Sequence, residues 1–183
     1  MRVITGEARG RKLKTLEGTD VRPTTDRVKE GLFNIIQFDL PGARFLDLFG
    51  GSGQIGIEAL SRGARQAVFV DESRASCQVI WENLRATGLQ ERARVVQADA
   101  AAYLGGGGEA FDLAFLDPPY STGLLERTLP LLEGRMAPGG LILCEHLKED
   151  RLPETVGRFF RKKEYAYGRI RLTLYREKPE DEI

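Results

Sequence analysis

"LDLFGGSGQIG", residues 46–56, decides the fold. Its first residues alternate apolar positions around Asp47, as a strand end does, and "QIGIEALSRG" continues as an amphipathic helix stopped at Gly63. Between them, Gly51-x-Gly53-x-x-Gly56 has the spacing of a nucleotide-binding turn, where missing side chains let a ligand approach the backbone. Asp71 closes the next strand about 20 residues on, where an acid can bind ribose hydroxyls.

Outward from this turn the pattern alternates. "RFLDLF", "AVFVD", "RARVVQ", "LAFLD" and "GLILCEH" read as short, nearly all-apolar strands. "TTDRVKEGLFNIIQF", with Pro23 ahead as a start signal, "SRASCQVIWENLRATG" and "TGLLERTLPLLEG" read as helices, with a shorter one near 99–104. Apolar strands between amphipathic helices predict a parallel sheet covered on both faces. "RFFRKKEYAYGRIRLTLYRE" has two β-rich runs meeting at Tyr167-Gly168 and predicts an antiparallel hairpin at the sheet edge. The expected fold is α/β, doubly wound, with a mostly parallel seven-stranded sheet and a C-terminal antiparallel hairpin. "RVIT" and "RKLKTL" around Gly6 and Gly10 predict a small N-terminal β-hairpin arm. The expected division is an arm over 1–20 and one domain over 21–183, with "GGGG" at 105–108 a flexible loop and "KPEDEI" a frayed tail.

At 183 residues the chain suits a single core burying roughly two-thirds of its unfolded surface. No apolar run approaches the ~20 residues of a membrane span, and "MRVITGEARGRK" lacks a signal-peptide core, so a cytoplasmic, soluble protein is expected. Cys77 and Cys144 read as buried reduced thiols, and with His146 as the one histidine no metal site is expected. Formal net charge is zero, but basic residues gather at both ends: Arg2, Arg9, Arg11, Lys12 and Lys14, then Arg158, Arg161, Lys162, Lys163, Arg169 and Arg171. Basic ends around a more acidic middle fit a phosphate-bearing partner.

Asp47 chooses between cofactors. A carboxylate just before the glycines would repel a dinucleotide pyrophosphate but suits a cationic ligand bearing an ammonium and a sulfonium. S-adenosylmethionine (AdoMet) has that charge, and its ribose would fall to Asp71. Asp99 can accept from an adenine amine, cap the following helix, or do both. An NAD oxidoreductase remains an alternative on the glycine spacing alone.

"FLDPPY", residues 115–120, then ends a strand with an acid, two prolines and an aromatic ring. Two prolines remove two amide donors and stiffen the turn. Asp117 and a backbone carbonyl of the turn can hydrogen-bond both hydrogens of a planar exocyclic amine and aim its lone pair, while Tyr120 stacks on the base.

With these motifs in order ("GEARGRKLKT", "RPTTDRVKEGLFNII", "FLDLFGGSGQIGIEALSRGA", "VFVDES", "FLDPPY"), nearly the whole chain resembles the bacterial 16S ribosomal RNA (guanine(966)-N2) methyltransferase family, Rossmann-like AdoMet-dependent enzymes. DPPY alone is shared with adenine-N6 DNA methyltransferases; the "RPT-x-D-R-V-x-E-x-LFN" stretch discriminates better. Gly50 departs from the family's usual alanine, and Gln54 from its commoner residue. The resemblance implies methyl transfer to a guanine N2 amine in 16S rRNA, within an assembling or assembled small subunit and without an obligate protein partner. It implies Asp117, Pro118, Pro119 and Tyr120 as the catalytic turn. Asp47, Phe49, Gly50, Gly51 and Gly53 fall on the methionine side, Asp71 and Glu72 on the ribose, Asp99 and Ala100 on the adenine, and Arg22 and Thr24 over the pocket. RNA contacts are expected from Arg9, Arg11, Lys12, Tyr167 and Arg169. An adenine-N6 DNA enzyme is the nearest alternative, though the length leaves little room for a target-recognition domain.

Overall fold

Helix α1 (Asp26–Ile36) starts where Thr25 caps it, the threonine hydroxyl accepting from the Val28 amide at 3.4 Å. The computed structural model describes residues 1–17 and 25–179, so the predicted start signal at Pro23, together with Arg22 and Thr24, lies outside the described residues. Beyond α1 come β1 (Arg44–Asp47), α2 (Gln54–Ser61), β2 (Gln66–Asp71), α3 (Arg74–Thr87), β3 (Ala93–Gln97), α4 (Ala100–Gly105), β4 (Phe111–Leu116) and α5 (Leu124–Leu132). β5 (Met136–Leu147), β6 (Thr155–Val156), β7 (Phe159–Tyr167) and β8 (Ile170–Glu177) complete the chain.

The strands form one sheet in the order β3-β2-β1-β4-β5-β8-β7-β6. β1 to β5 run parallel, β8 pairs antiparallel with β5, and β7 antiparallel with β8. This is the expected doubly wound sheet with its terminal hairpin, extended by the two-residue edge strand β6, too short to read in the sequence. One face carries α1, α2 and α3 through Leu32, Phe33, Ile57, Leu60 and Ile80 on Phe45, Phe69 and Phe115. The other carries α4 and α5 through Leu104, Leu125, Leu129 and Leu132 on Leu46, Val70 and Leu116. Each such side chain contributes about 1.5–3 kcal/mol on full burial. Order reverses between β1, whose neighbour is β2, and β4, so a cleft opens at their carboxyl ends.

The N-terminal hairpin is reduced to a single antiparallel bridge between Arg2 and Lys12. Residues 1–14 lie on the body, because a buried acid collects their backbone. Glu58 accepts from the Ile4 and Thr5 amides at 2.8 and 3.0 Å and pairs with Lys29 at 3.1 Å and Arg62 at 3.0 Å. Burial works against ionisation of Glu58, but the Ile4 amide, Lys29, Arg62 and the Thr5 amide outweigh it and hold its pKa below the ordinary 4.5. Lys29, drawn down from 10.5 by burial despite Glu58, also donates to the Arg2 carbonyl at 3.2 Å. Val3, Ala8 and Leu13 are buried beneath the segment. The expected boundary at residues 20 and 21 and the last four residues of the expected tail lie outside the described residues.

Candidate active site

At that cleft, a cavity of about 520 Å³ lies over the carboxyl ends of the central strands. Its floor is the glycine turn. Gly53 sits at φ 82° as the N-cap of α2, and its amide donates to the Gly50 carbonyl at 2.7 Å. Gly51, at φ 58°, donates its amide to one Asp71 carboxylate oxygen at 3.0 Å, and the Ser73 amide donates to the other at 2.9 Å. Asp71 therefore ties the turn to β2 while its remaining lone pairs face the cavity it lines. Gly56 has no room for a side chain, since a Cβ would stand 2.3 Å from the Phe69 ring. Gly50 likewise lies against Ile80: a Cβ there would meet its Cδ1 at 2.9 Å, so the family's usual alanine would require Ile80 to move.

Asp47 is 2 % exposed and accepts from the Gly56 amide at 3.1 Å. Burial pushes its pKa up to about 7; the Gly56 amide opposes the rise and the charge of Asp71 adds to it. A carboxylate so short of compensation fits a ligand that brings a cation, which the AdoMet ammonium would supply. Phe49, Gly50, Glu72 and Ala100 line the same cavity, whereas Gly53 sits behind the turn against Ile80. Asp99 lines it and also caps α4, accepting from the Ala102 amide at 3.0 Å.

Asp117, Pro118, Pro119 and Tyr120, just past the end of the adjacent strand β4, line the same cavity. Past Tyr120 the backbone turns through Ser121 at φ 60°, the one non-glycine among the described residues in that region. The Thr122 hydroxyl donates to the Pro119 carbonyl at 2.7 Å. Two further side chains carry no signal in the sequence. Glu145, 3 % exposed at the end of β5, lines the cavity and accepts from the Tyr120 hydroxyl at 3.3 Å. Asn83 of α3 accepts from the Lys14 amide at 2.7 Å and donates to the Lys14 carbonyl at 3.0 Å and the Ser52 carbonyl at 2.9 Å. It thereby sews the N-terminal segment to the glycine turn and brings Leu16 to the cavity edge.

The remaining predicted residues scatter. Arg9, Arg11 and Lys12 are exposed, as is Arg169 at the hairpin turn. Tyr167 is half-buried on α1, its hydroxyl 2.2 Å from where a Gly31 Cβ would stand and its ring 5.9 Å from the Arg27 guanidinium. Several terminal cations are paired: Arg158 with Glu177 at 2.6 Å and Arg171 with Glu164 at 3.3 Å. His146 is buried, with Nδ1 on the Leu147 carbonyl at 2.8 Å and Nε2 on the Thr173 hydroxyl at 2.6 Å. It is a satisfied core histidine. Cys77 and Cys144 are free and buried, and burial raises both thiols above their ordinary pKa. Among the described residues no three His, Cys, Asp or Glu side chains are grouped to hold a metal ion, and no helix is long and apolar enough to cross a membrane.

Sheet order, glycine turn and acid-lined strand ends together are those of a Rossmann-like methyltransferase. The family described as Conserved hypothetical protein 95 matches residues 1–176, and the chain belongs to it. It is 40 % identical over 184 residues to Ribosomal RNA small subunit methyltransferase D of Escherichia coli (strain K12), covering all of this chain and 92 % of that protein. The solved structure of yhhF from Escherichia coli is similar with a TM-score of 0.87 at 40 % identity, over 97 % of this chain and 98 % of that one. A SAM-dependent methyltransferase from Thiobacillus denitrificans, solved with S-adenosyl-L-homocysteine, is similar with a TM-score of 0.61 at 25 % identity, over 73 % of this chain and 53 % of that one.

Proposed function

We infer that the chain transfers a methyl group from AdoMet to the exocyclic N2 amine of a guanine in 16S rRNA, within an assembling or assembled small ribosomal subunit. The observation that carries the reading is one cavity lined both by buried Asp47 with its glycine turn and by the Asp117–Tyr120 turn. The small-subunit rRNA methyltransferase among the relatives supports ribosomal RNA as the substrate class.

AdoMet would supply an electrophilic methyl group on a sulfonium. In this reading Asp47 and the turn at Gly50 and Gly51 hold its amino-acid end, Asp71 and Glu72 its ribose, and Asp99 with Ala100 its adenine; Arg22 and Thr24 close over it. The chain's own work is on the acceptor. A purine amine is a poor nucleophile because its lone pair is delocalised into the ring. Asp117 accepts one amine hydrogen and the Pro118 carbonyl the other; the Pro119 carbonyl already serves Thr122. Both bonds turn the lone pair toward the methyl group and stabilise charge developing on nitrogen. The released proton passes to Asp117 or to solvent. Pro118 and Pro119 hold these acceptors in place, and Tyr120, anchored through its hydroxyl on Glu145, offers its ring to the base. Arg9, Arg11, Lys12, Tyr167 and Arg169 are the proposed RNA contacts.

The test is transfer of labelled methyl to small subunits lacking the modification, followed by mapping of the labelled nucleotide and atom. Label at a guanine N2 of 16S rRNA is expected. Label at an adenine N6, in RNA or DNA, would overturn the reading.

A further inference from the structure

We propose that Glu145 reads the Watson–Crick edge of the target base, accepting from guanine N1–H, and so selects guanine over adenine. This rests on the functional reading above. Leu116 of β4 stands beside Cys144 of β5 in parallel register. One residue on, the register sets Asp117 next to Glu145, and the alternation of a strand turns both to the same face. Both line the cavity, and Glu145 is 3 % exposed at its inner wall. The Tyr120 hydroxyl donates to Glu145 Oε1 at 3.3 Å, which joins the catalytic turn to this carboxylate.

The chemistry of the two purines then differs sharply against this wall. Guanine presents N1–H and the N2 amine side by side, all donors. Adjacent acceptors, Asp117 with the turn carbonyl for the amine and Glu145 for N1–H, match that row. Adenine carries its amine beside a bare N1 lone pair, which would face an acceptor oxygen in a buried site. Two acceptors facing each other share no hydrogen, so adenine leaves this wall mismatched where guanine completes it.

The test compares two RNA substrates, one with guanine and one with 2-aminopurine at the target position. 2-Aminopurine keeps the N2 amine but has no hydrogen on N1. Wild type should favour guanine in kcat/KM by about tenfold or more, the scale of one buried polar group left without its hydrogen bond. Glu145→Gln can donate to a bare N1, and the guanine/2-aminopurine ratio should fall about tenfold or more. Intrinsic reactivity of the amines cancels in that comparison. Glu145→Asp, which keeps an acceptor, should retain a preference for guanine. Equal use of both substrates by wild type overturns the proposal with no variant involved. A ratio unchanged in Glu145→Gln, with both rates depressed alike, leaves Glu145 a purely structural group and also overturns it. If wild type methylates neither RNA, the functional reading fails and takes this inference with it; methylation of guanine alongside either overturning ratio leaves that reading standing.

Discussion

Asp47→Asn separates what the folded chain tolerates from what its ligand needs. Because the folded pKa of Asp47 is raised from the ordinary 3.8 to about 7, the native state holds a proton that the unfolded state has released across that window. Its contribution therefore reduces stability progressively as pH rises from 3.8, and the loss is complete above about 7. At about 1.4 kcal/mol per pH unit, Asp47 costs the fold about 2 kcal/mol at about pH 5.5, where folding takes up a proton, and about 4 kcal/mol at about pH 8, where the buried carboxylate must stay ionised. Asparagine keeps the shape and an oxygen for the Gly56 amide without that cost. Relative to wild type, Asp47→Asn should gain about 2 kcal/mol between about pH 5.5 and about pH 8, or about 4–8 °C in Tm for a chain of this length. AdoMet affinity should move oppositely, falling about tenfold or more at about pH 8, because the variant offers no charge to the ammonium. Urea unfolding at the two pH values and calorimetric titration with AdoMet read both effects. A stability difference independent of pH, or unchanged AdoMet affinity, would refute the reasoning.

Asp117→Ala should abolish methyl transfer while leaving AdoMet affinity within about twofold, as expected of a group that touches only the acceptor; full activity would remove Asp117 from the mechanism. Asn83→Ala breaks three hydrogen bonds between residue 14, the glycine turn and α3. Faster amide exchange over residues 12–17 and weaker AdoMet binding are expected, read by hydrogen exchange and titration; protection equal to wild type would show the tie to be idle. Lys29→Met strips the buried Glu58 of one counter-ion and should cost about 3 kcal/mol or more in urea unfolding. Replacing Arg9, Arg11 and Lys12 together by alanine should flatten the salt dependence of RNA binding by about 0.7–0.9 for each phosphate no longer neutralised; an unchanged slope rules the segment out.

The sheet was readable because its strands are short apolar runs and its turns carry punctuation that only a strand–glycine–helix sequence needs. Gly88 and Ser73, predicted bounds of α3, are its caps, Gly88 at φ 71°. β5 was expected over "GLILCEH" and runs back to Met136, because Met136 stands opposite Phe111 of β4 across an irregularity in the register that no local pattern announces. The candidate site was legible where the motif itself is local, as at Asp47, Asp71 and Asp117. Glu145 was missed because an acid beside His146 at the end of an apolar strand carries no spacing signal. Its importance comes from the neighbouring strand, whose Asp117 is distant in sequence. Asn83 is one polar residue on an amphipathic helix, and nothing local distinguishes it from a solvated position. Two of the basic residues, Arg158 and Arg171, have carboxylate partners contributed by sequence-distant or facing strand positions, which the charge pattern alone does not show.

The three acids at the strand ends, Asp47, Asp117 and Glu145, give this slot a sign. A polyanion's sugar–phosphate chain is repelled from such a mouth, so a neutral base would have to leave its stack and enter alone, with the backbone kept outside on the proposed basic contacts. The distance one nucleotide can reach between those two regions then limits which folded RNA shapes can be served, independently of any letter read inside.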